Sequence, residues 1–189
     1  ANVSGEAGAG GYAEGCMRQS RRLMRLRRWN EAVEAGRRAC DDQHPEHCEE
    51  AGVILGNVRR YAEAADMYDR ALPLLEERCA PGEFESCLFL GRVLGDGAGG
   101  SRRRGNELLA DLCDQGLLEG CTTCLDRVRG DSGSAPLEER CRAGAETIYR
   151  RDCATGGESS CGGLADLLCS TGRWDEGEPL ARRACDNGF

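Results

Sequence analysis

The feature of this sequence that most restricts its fold is a recurring pair of cysteines eight residues apart. Four such pairs occur along the chain: Cys40 and Cys48, Cys79 and Cys87, Cys113 and Cys121, and Cys153 and Cys161. The distance from one pair to the next varies between 26 and 32 residues. A fixed short interval between variable long ones indicates that the two cysteines of a pair act together, as in a repeat architecture.

A helical signature follows the second cysteine of each pair. Residues 48–55, 87–94 and 161–168 carry apolar or small side chains at offsets 0, +3, +4 and +7, and residues 121–128 are a weaker copy. This spacing puts the side chains on one face of an α-helix. Each segment is therefore predicted to be the first helix of a two-helix repeat, and Cys16 begins the most divergent copy.

The second helix of each repeat is predicted to end at the next cysteine. Residues 28–40 align without gaps on residues 173–185, from Arg-Trp to Ala-Cys. Glycines that suit a left-handed turn ending a helix stand three residues after four of the first cysteines: Gly82, Gly116, Gly156 and Gly188. No segment shows sustained strand-like alternation. The predicted fold class is all-α, and each cysteine pair spans the turn between consecutive repeats.

These residues resemble the tetratricopeptide superfamily, and more closely the cysteine-rich, secreted bacterial branch of the Sel-one-like repeat proteins. The resemblance rests on the Ala-Cys that ends the second helix, the eight-residue step, and the Leu/Ala–Gly/Ala pair three residues later. It implies an α-α superhelix, a right-handed solenoid of about five helix-turn-helix repeats in one domain of residues 11–189. The Gly- and Ala-rich residues 1–10 before it are expected to be flexible.

The resemblance also implies a disulfide within each of the four cysteine pairs, between consecutive helices. A bond closing a loop this short contributes about 2–3 kcal/mol by restricting the unfolded chain, which offsets a core poor in large apolar groups. If Cys121 begins a helix, Cys124 and Cys141 face each other across the repeat, and a fifth bond is expected there. Cys16, Cys169 and Cys185 are left unpaired or uncertain, and the partner position of Cys185 falls beyond Phe189. The chain is then truncated, or Cys185 pairs elsewhere.

Thirteen cysteines with little metal-ligand spacing favour disulfides and therefore an oxidising location: secreted, periplasmic or cell-surface. The chain begins at Ala1, as a mature exported protein without its leader, or an excised fragment, would. Two alternatives stay open for the cysteines. They can be reduced, small buried hydrophobes, or Cys48 can join His44 and His47 in a zinc cluster rather than a polar turn. No metal and no cofactor is predicted.

The composition excludes several enzyme classes. All 25 basic residues are Arg, and without Lys there is no Schiff base, no P-loop lysine and no Ser-x-x-Lys pair. The two histidines, His44 and His47, form no triad that the sequence reveals. A net charge of −8 argues against a general nucleic-acid binder, and no apolar run is long enough for a transmembrane helix. The protein is predicted not to be an enzyme.

One segment has the opposite charge from the rest. Residues 16–38 contain eight Arg and two Glu, a net charge of +6, which leaves −14 for the remainder of the chain. Such polarity favours association of like chains, or attraction of an acidic partner, a lipid headgroup or a glycan. A solvated polar end of the repeat array is the alternative. Nucleic acid is not expected at the first helix, residues 18–28, because stacking aromatic residues are missing there and the acidic remainder of the chain repels phosphate.

The expected binding surface is the concave wall that first helices form beside their buried stripe. The positions are Arg21, Arg25, Glu49, Val53, Arg92, Asp126 and Asp166. The predicted function is an exported, non-enzymatic scaffold that binds a protein or peptide, or assembles with copies of itself, through this face and the basic first helix. The alternative is an enzyme or ligand-binding protein of the cysteine-rich, β-lactamase-like branch, acting on cell-wall-related or redox substrates. Peripheral membrane association stays open.

Overall fold

The computed structural model describes residues 6–41, 43–96 and 101–188. Within these ranges the regular structure is helical and no β-strand occurs, so the prediction of an all-α fold is confirmed. The helices in chain order are α1 (Glu6–Arg25), α2 (Trp29–Ala39), α3 (Pro45–Asn57), α4 (Tyr61–Arg78), α5 (Phe84–Gly95), α6 (Arg102–Asp114), α7 (Leu118–Val128), α8 (Ala135–Ala154), α9 (Glu158–Ser170) and α10 (Trp174–Asp186).

The first helix starts earlier than the composition suggests. It begins at Glu6, so residues 6–10 of the segment expected to be flexible are helical. Residues 1–5 of that segment lie outside the described residues. None of the helices in the described ranges has the length and apolar character needed to cross a membrane.

Five disulfides join consecutive helices. Four close the turns from α2 to α3, α4 to α5, α6 to α7 and α8 to α9, with Cα atoms 4.3–4.7 Å apart: Cys40–Cys48, Cys79–Cys87, Cys113–Cys121 and Cys153–Cys161. The fifth, Cys124–Cys141, joins α7 to α8 with its Cα atoms 6.3 Å apart. These are the bonds expected from the sequence. Cys16, Cys169 and Cys185 are free.

The turns after the first cysteines have the geometry that the sequence predicts. The four glycines expected to end helices have φ angles between +89° and +96°: Gly82, Gly116, Gly156 and Gly188. A side chain is disfavoured in this left-handed region, and glycine enters it freely. At Gly82, Gly116 and Gly156 the chain therefore reverses direction within a few residues, and a short disulfide closes across the reversal.

The chain divides into two compact units, residues 1–108 and 109–189. Small side chains fill much of the core of the first unit, where Ala32, Ala35, Ala51 and Ala71 are at most 1% exposed. The second unit buries leucines of α6, α7 and α9 together with the cysteines of three disulfides, which are no more than 4% exposed: Cys113, Cys121, Cys124, Cys141, Cys153 and Cys161. Because the core contains few large apolar side chains, the disulfides provide a large part of the conformational restriction that stabilises each unit. The right-handed superhelix and the single domain stay predictions.

The turn between the two helices of a repeat has its own recurring device. In three copies an Arg precedes the first residue of the second helix and holds the Glu three residues on with two hydrogen bonds of 2.5–2.9 Å: Arg28 to Glu31, Arg60 to Glu63, and Arg173 to Glu176. An acidic residue in the first turn also interacts favourably with the helix dipole. The ion pair therefore marks the start of the helix where no Ser, Thr or Asp cap is present.

Candidate functional site

The residues predicted to face a partner lie in both compact units and differ in their burial and in their ion pairs. In the first unit Arg21 of α1 donates hydrogen bonds to Glu50 of α3, so its charge is already neutralised. Arg25 lies exposed in the last turn of α1, and Val53 of α3 is half-buried. Of these three, only Arg25 presents to solvent a charge that has no ion pair in the described part of the chain.

Glu49 and Arg92 were predicted to face a partner, and the structure corrects this expectation for Glu49. Its side chain is fully buried, and its Oε1 lies 3.0 Å from Nη2 of Arg92. The Arg92 guanidinium carbon also lies 5.5 Å from the centre of the Phe89 ring. A buried carboxylate is stable only when such a partner compensates the lost hydration. These two residues therefore tie α3 to α5 instead of forming an open surface.

Asp126 and Asp166 are the predicted residues that the structure brings together. They line one cleft of about 250 Å³ in the second unit, between α7 and α9, with Tyr149 of α8 in its wall. Each Asp stands five residues after a cysteine that a disulfide holds at the start of its helix, Cys121 or Cys161. The equal offset puts both carboxylates on corresponding faces of their helices.

Tyr149 lies against the backbone of α9 because Gly163 leaves room for its ring. A Cβ atom at Gly163 would come within 2.6 Å of Cε1 of Tyr149, closer than carbon atoms approach. Partial burial, followed by the negative charges of Asp166 and Asp126, raises the pKa of Tyr149 above its ordinary value. The cleft therefore has a negative potential at a half-buried aromatic ring.

The charges of the cleft are not neutralised internally. Within the described residues neither Asp126 nor Asp166 has a salt bridge or hydrogen bond, and both are exposed. Arg129 also lines the cleft, and Leu125 and Leu167 add apolar surface. The site thus combines two free carboxylates, one aromatic ring and apolar walls. Such a site suits a cationic group on an aliphatic stem.

Sequence reasoning found the two carboxylates and missed the aromatic ring between them. Tyr149 lies on a second helix, whereas only first-helix positions were expected to form the surface. A signal for it was present in Gly163, since a glycine inside a helix lowers helix stability and often marks a close approach. Leu125 and Leu167 belong to the apolar pattern of their helices and carry no signal of their own.

The histidine pair does not form the zinc cluster that was left open. The rings of His44 and His47 stack with their centres 5.1 Å apart, and His44 Nδ1 lies 2.9 Å from Asp41. Cys48, the third member of such a cluster, is bonded to Cys40 and has no thiolate to offer. Elsewhere in residues 6–41, 43–96 and 101–188, no three His, Cys, Asp or Glu side chains are grouped as metal ligands.

No protein-family model matches this chain, and no curated protein shows significant similarity to it. The likeness to Sel-one-like repeats rests on the cysteine spacing and the helix pattern of the chain itself.

Proposed function

We propose that this protein is a non-enzymatic helical-repeat scaffold of the Sel-one-like type that binds a partner protein or peptide. The proposed binding site is the α7–α9 cleft with Asp126, Asp166 and Tyr149. The proposed ligand is an Arg or Lys side chain presented by an exposed or extended segment of the partner. The basic first helix, with Arg22 and Arg25 in its last turn, is a second surface of this scaffold and is suited to acidic partners.

The observation that carries the proposal is a pair of free carboxylates held in register around a half-buried ring. A guanidinium between the carboxylates gains charge-assisted hydrogen bonds and lies near the face of Tyr149, where a cation is attracted to the ring. The aliphatic part of the same side chain can pack on Leu125 and Leu167. Because disulfides hold α7, α8 and α9 together, little ordering entropy is lost on binding.

The five disulfides support an oxidising location, since such bonds persist outside the reducing cytosol. We therefore place the scaffold at the cell surface, in the periplasm or among secreted proteins. There it meets segments of other exported proteins. A second copy of the chain is one such partner, because the last turn of α1 supplies basic side chains and the cleft supplies carboxylates.

The test is a titration of the full chain, followed by NMR, with the peptide Gly-Leu-Arg-Leu-Gly. Its counterpart contains citrulline, which keeps the shape of Arg and lacks its charge. We expect the Arg peptide to shift resonances of α7, Tyr149 and α9, and the double variant Asp126→Asn with Asp166→Asn to bind about tenfold more weakly, a loss of ~1.4 kcal/mol. Each exposed charge pair contributes about 0.2–1 kcal/mol.

The matched control is Asp66→Asn with Asp69→Asn, which makes the same charge change on the exposed surface of α4 in the other compact unit. It should leave the affinity unchanged. Equal binding of the citrulline peptide, or an equal loss in the control variant, would show that the cleft is not the site.

A further inference from the structure

A second cavity opens in the first compact unit, where two successive repeats turn from their first helix to their second. Its volume is about 670 Å³, within the range of roughly 300–1,000 Å³ that small-molecule sites occupy. Arg27 lies in the turn from α1 to α2, and Arg59 in the turn from α3 to α4. Trp29 and Asn30 at the start of α2 and Asn57 at the end of α3 complete the polar and aromatic part of its wall.

Two positive charges in this cavity are free. Arg28, which also lines it, is held by Glu31 through hydrogen bonds of 2.6 and 2.5 Å, so these two charges cancel. Arg27 and Arg59 are exposed, and neither has an ion pair or a side-chain hydrogen bond within the described part of the chain. The cavity therefore presents two uncompensated guanidinium groups to a ligand.

The backbone at these two arginines is one that glycine would occupy more easily. Their φ angles are +58° and +62°, and within the described ranges they are the non-glycine residues with positive φ. The corresponding residue of the turn from α9 to α10 is Gly172, with φ +81°. Since the same turn forms with glycine, the fold does not require an arginine there. Strain kept at an exposed charged residue points to a role in binding.

We propose that this cavity binds an acidic oligosaccharide through a uronic acid unit. Its carboxylate pairs with Arg27 and Arg59, since a guanidinium binds a carboxylate through two parallel hydrogen bonds. The C–H face of the sugar ring packs on Trp29, which is 40% exposed and whose ring face carries partial negative charge. The side-chain amides of Asn30 and Asn57 have no partner in the described residues and bond the sugar hydroxyls, because an amide both donates and accepts.

The other ligand with a ring and a negative charge is a nucleotide, and the observations favour the sugar. A sugar offers many hydroxyl groups that the two free amides beside the Trp29 ring can bond, whereas a base mainly needs the face of that one ring. The five disulfides of the chain also fit an oxidising location, where acidic polysaccharides are common polymers.

The experiment uses the fluorescence of Trp29. The chain has two tryptophans, so Trp174→Phe leaves Trp29 as the sole reporter. Hexagalacturonate is titrated into this protein, and its fully methyl-esterified form serves as the uncharged ligand. We expect a saturable change with the acid and a loss of binding on the order of tenfold or more with the ester.

The deciding variant is Arg27→Gly with Arg59→Gly. It removes both charges and relieves the positive φ, so the unfolding midpoint should be unchanged or higher while binding falls by a similar factor. The control, Arg38→Gln with Arg102→Gln, removes two exposed arginines of the same unit that do not line the cavity. It should keep the affinity within about twofold at physiological salt, since distant exposed charges are screened.

Three results would overturn the proposal. The first is equal binding of the ester and the acid. The second is a loss of binding in the control variant as large as that in the glycine variant. The third is tighter binding of a nucleotide such as ATP than of the sugar, with the same dependence on Arg27 and Arg59. The Asp126–Asp166 cleft lies in the other compact unit and is intact in all these variants. Failure here therefore leaves the proposed peptide site standing, and the reverse also holds.

Discussion

At the residue scale, Tyr149 is the side chain on which the electrostatics of the proposed peptide site can be measured. Burial disfavours its ionised form, and Asp166 and Asp126 add to this, in that order. The phenol therefore keeps its proton to a higher pH than an ordinary tyrosine, whose pKa is about 10. Because folding raises this pKa, ionisation of Tyr149 lowers the free energy of unfolding. This contribution to stability is fully present below about pH 10 and is lost as the pH rises through the raised pKa.

Replacing Asp166 by Asn should lower the pKa of Tyr149 toward its ordinary value, and Asp126→Asn should do so to a smaller extent. The reason is that each substitution removes a negative charge that opposes the phenolate. The pKa is followed through the ring ¹³Cζ resonance, which Tyr149→Phe identifies among the four tyrosines. Asp66→Asn, in the other compact unit, should not move it. A pKa that stays unchanged in Asp166→Asn would show that the carboxylate does not face the ring.

Individual site residues were predictable where a covalent landmark fixes their register. Asp126 and Asp166 follow their cysteines at the same offset, so their shared location could be predicted from spacing. Glu49 could not be predicted, because its burial depends on Arg92, which is 43 residues further along the chain. Sequence spacing does not show which buried charge will find a distant partner.

At the scale of helices, two devices bring neighbours together: short disulfides at the turns and glycines where helices cross. One close approach in the first unit is between α5 and the first turns of α6, which contain Gly105. A Cβ atom at Gly105 would lie 2.3 Å from the backbone nitrogen of Gly95 and 2.6 Å from the carbonyl oxygen of Gly91. The two backbones are therefore in contact, and no flexible side chain can move aside.

Gly105→Ala should lower the free energy of unfolding by about 1–3 kcal/mol, because one of the two helices must shift. Gly56→Ala in α3 is the matched control, since no atom lies within 4 Å of its added Cβ. That change should leave the free energy of unfolding unchanged or raise it by up to about 1 kcal/mol, as alanine is favoured over glycine within a helix and Gly56 lies in the last turn of α3. Urea denaturation measures both. Equal effects of the two substitutions would contradict the close crossing.

Helix boundaries were predictable to the extent that local chemistry sets them. The four turn glycines after the cysteines and the Arg-Trp start of α2 and α10 are local signals, and the structure contains the expected turns. No such local signal marks the early start of α1 at Glu6 or the positive φ angles of Arg27 and Arg59. The composition of these segments favours a flexible segment and an ordinary turn.

At the scale of the whole molecule, disulfide bonds compensate for a core that contains few large apolar side chains. Much of the core is Ala and Cys, yet each of the helix pairs α2–α3, α4–α5, α6–α7 and α8–α9 is joined by a bond that closes a short loop. The disulfides hold the two proposed binding surfaces in their folded conformation, so little conformational entropy is lost when a ligand binds. It also requires an oxidising location, so the pattern of bonds connects the fold to the proposed site of action.

The most direct test of this account is to count and locate the free thiols of the protein isolated without reductant. In guanidinium chloride with iodoacetamide, we predict three alkylated cysteines, Cys16, Cys169 and Cys185, and thirteen after reduction. Peptide mapping should then find Cys124 joined to Cys141 and each of the other four bonds between cysteines eight residues apart. Thirteen alkylated cysteines without reductant, or bonds between other partners, would contradict it.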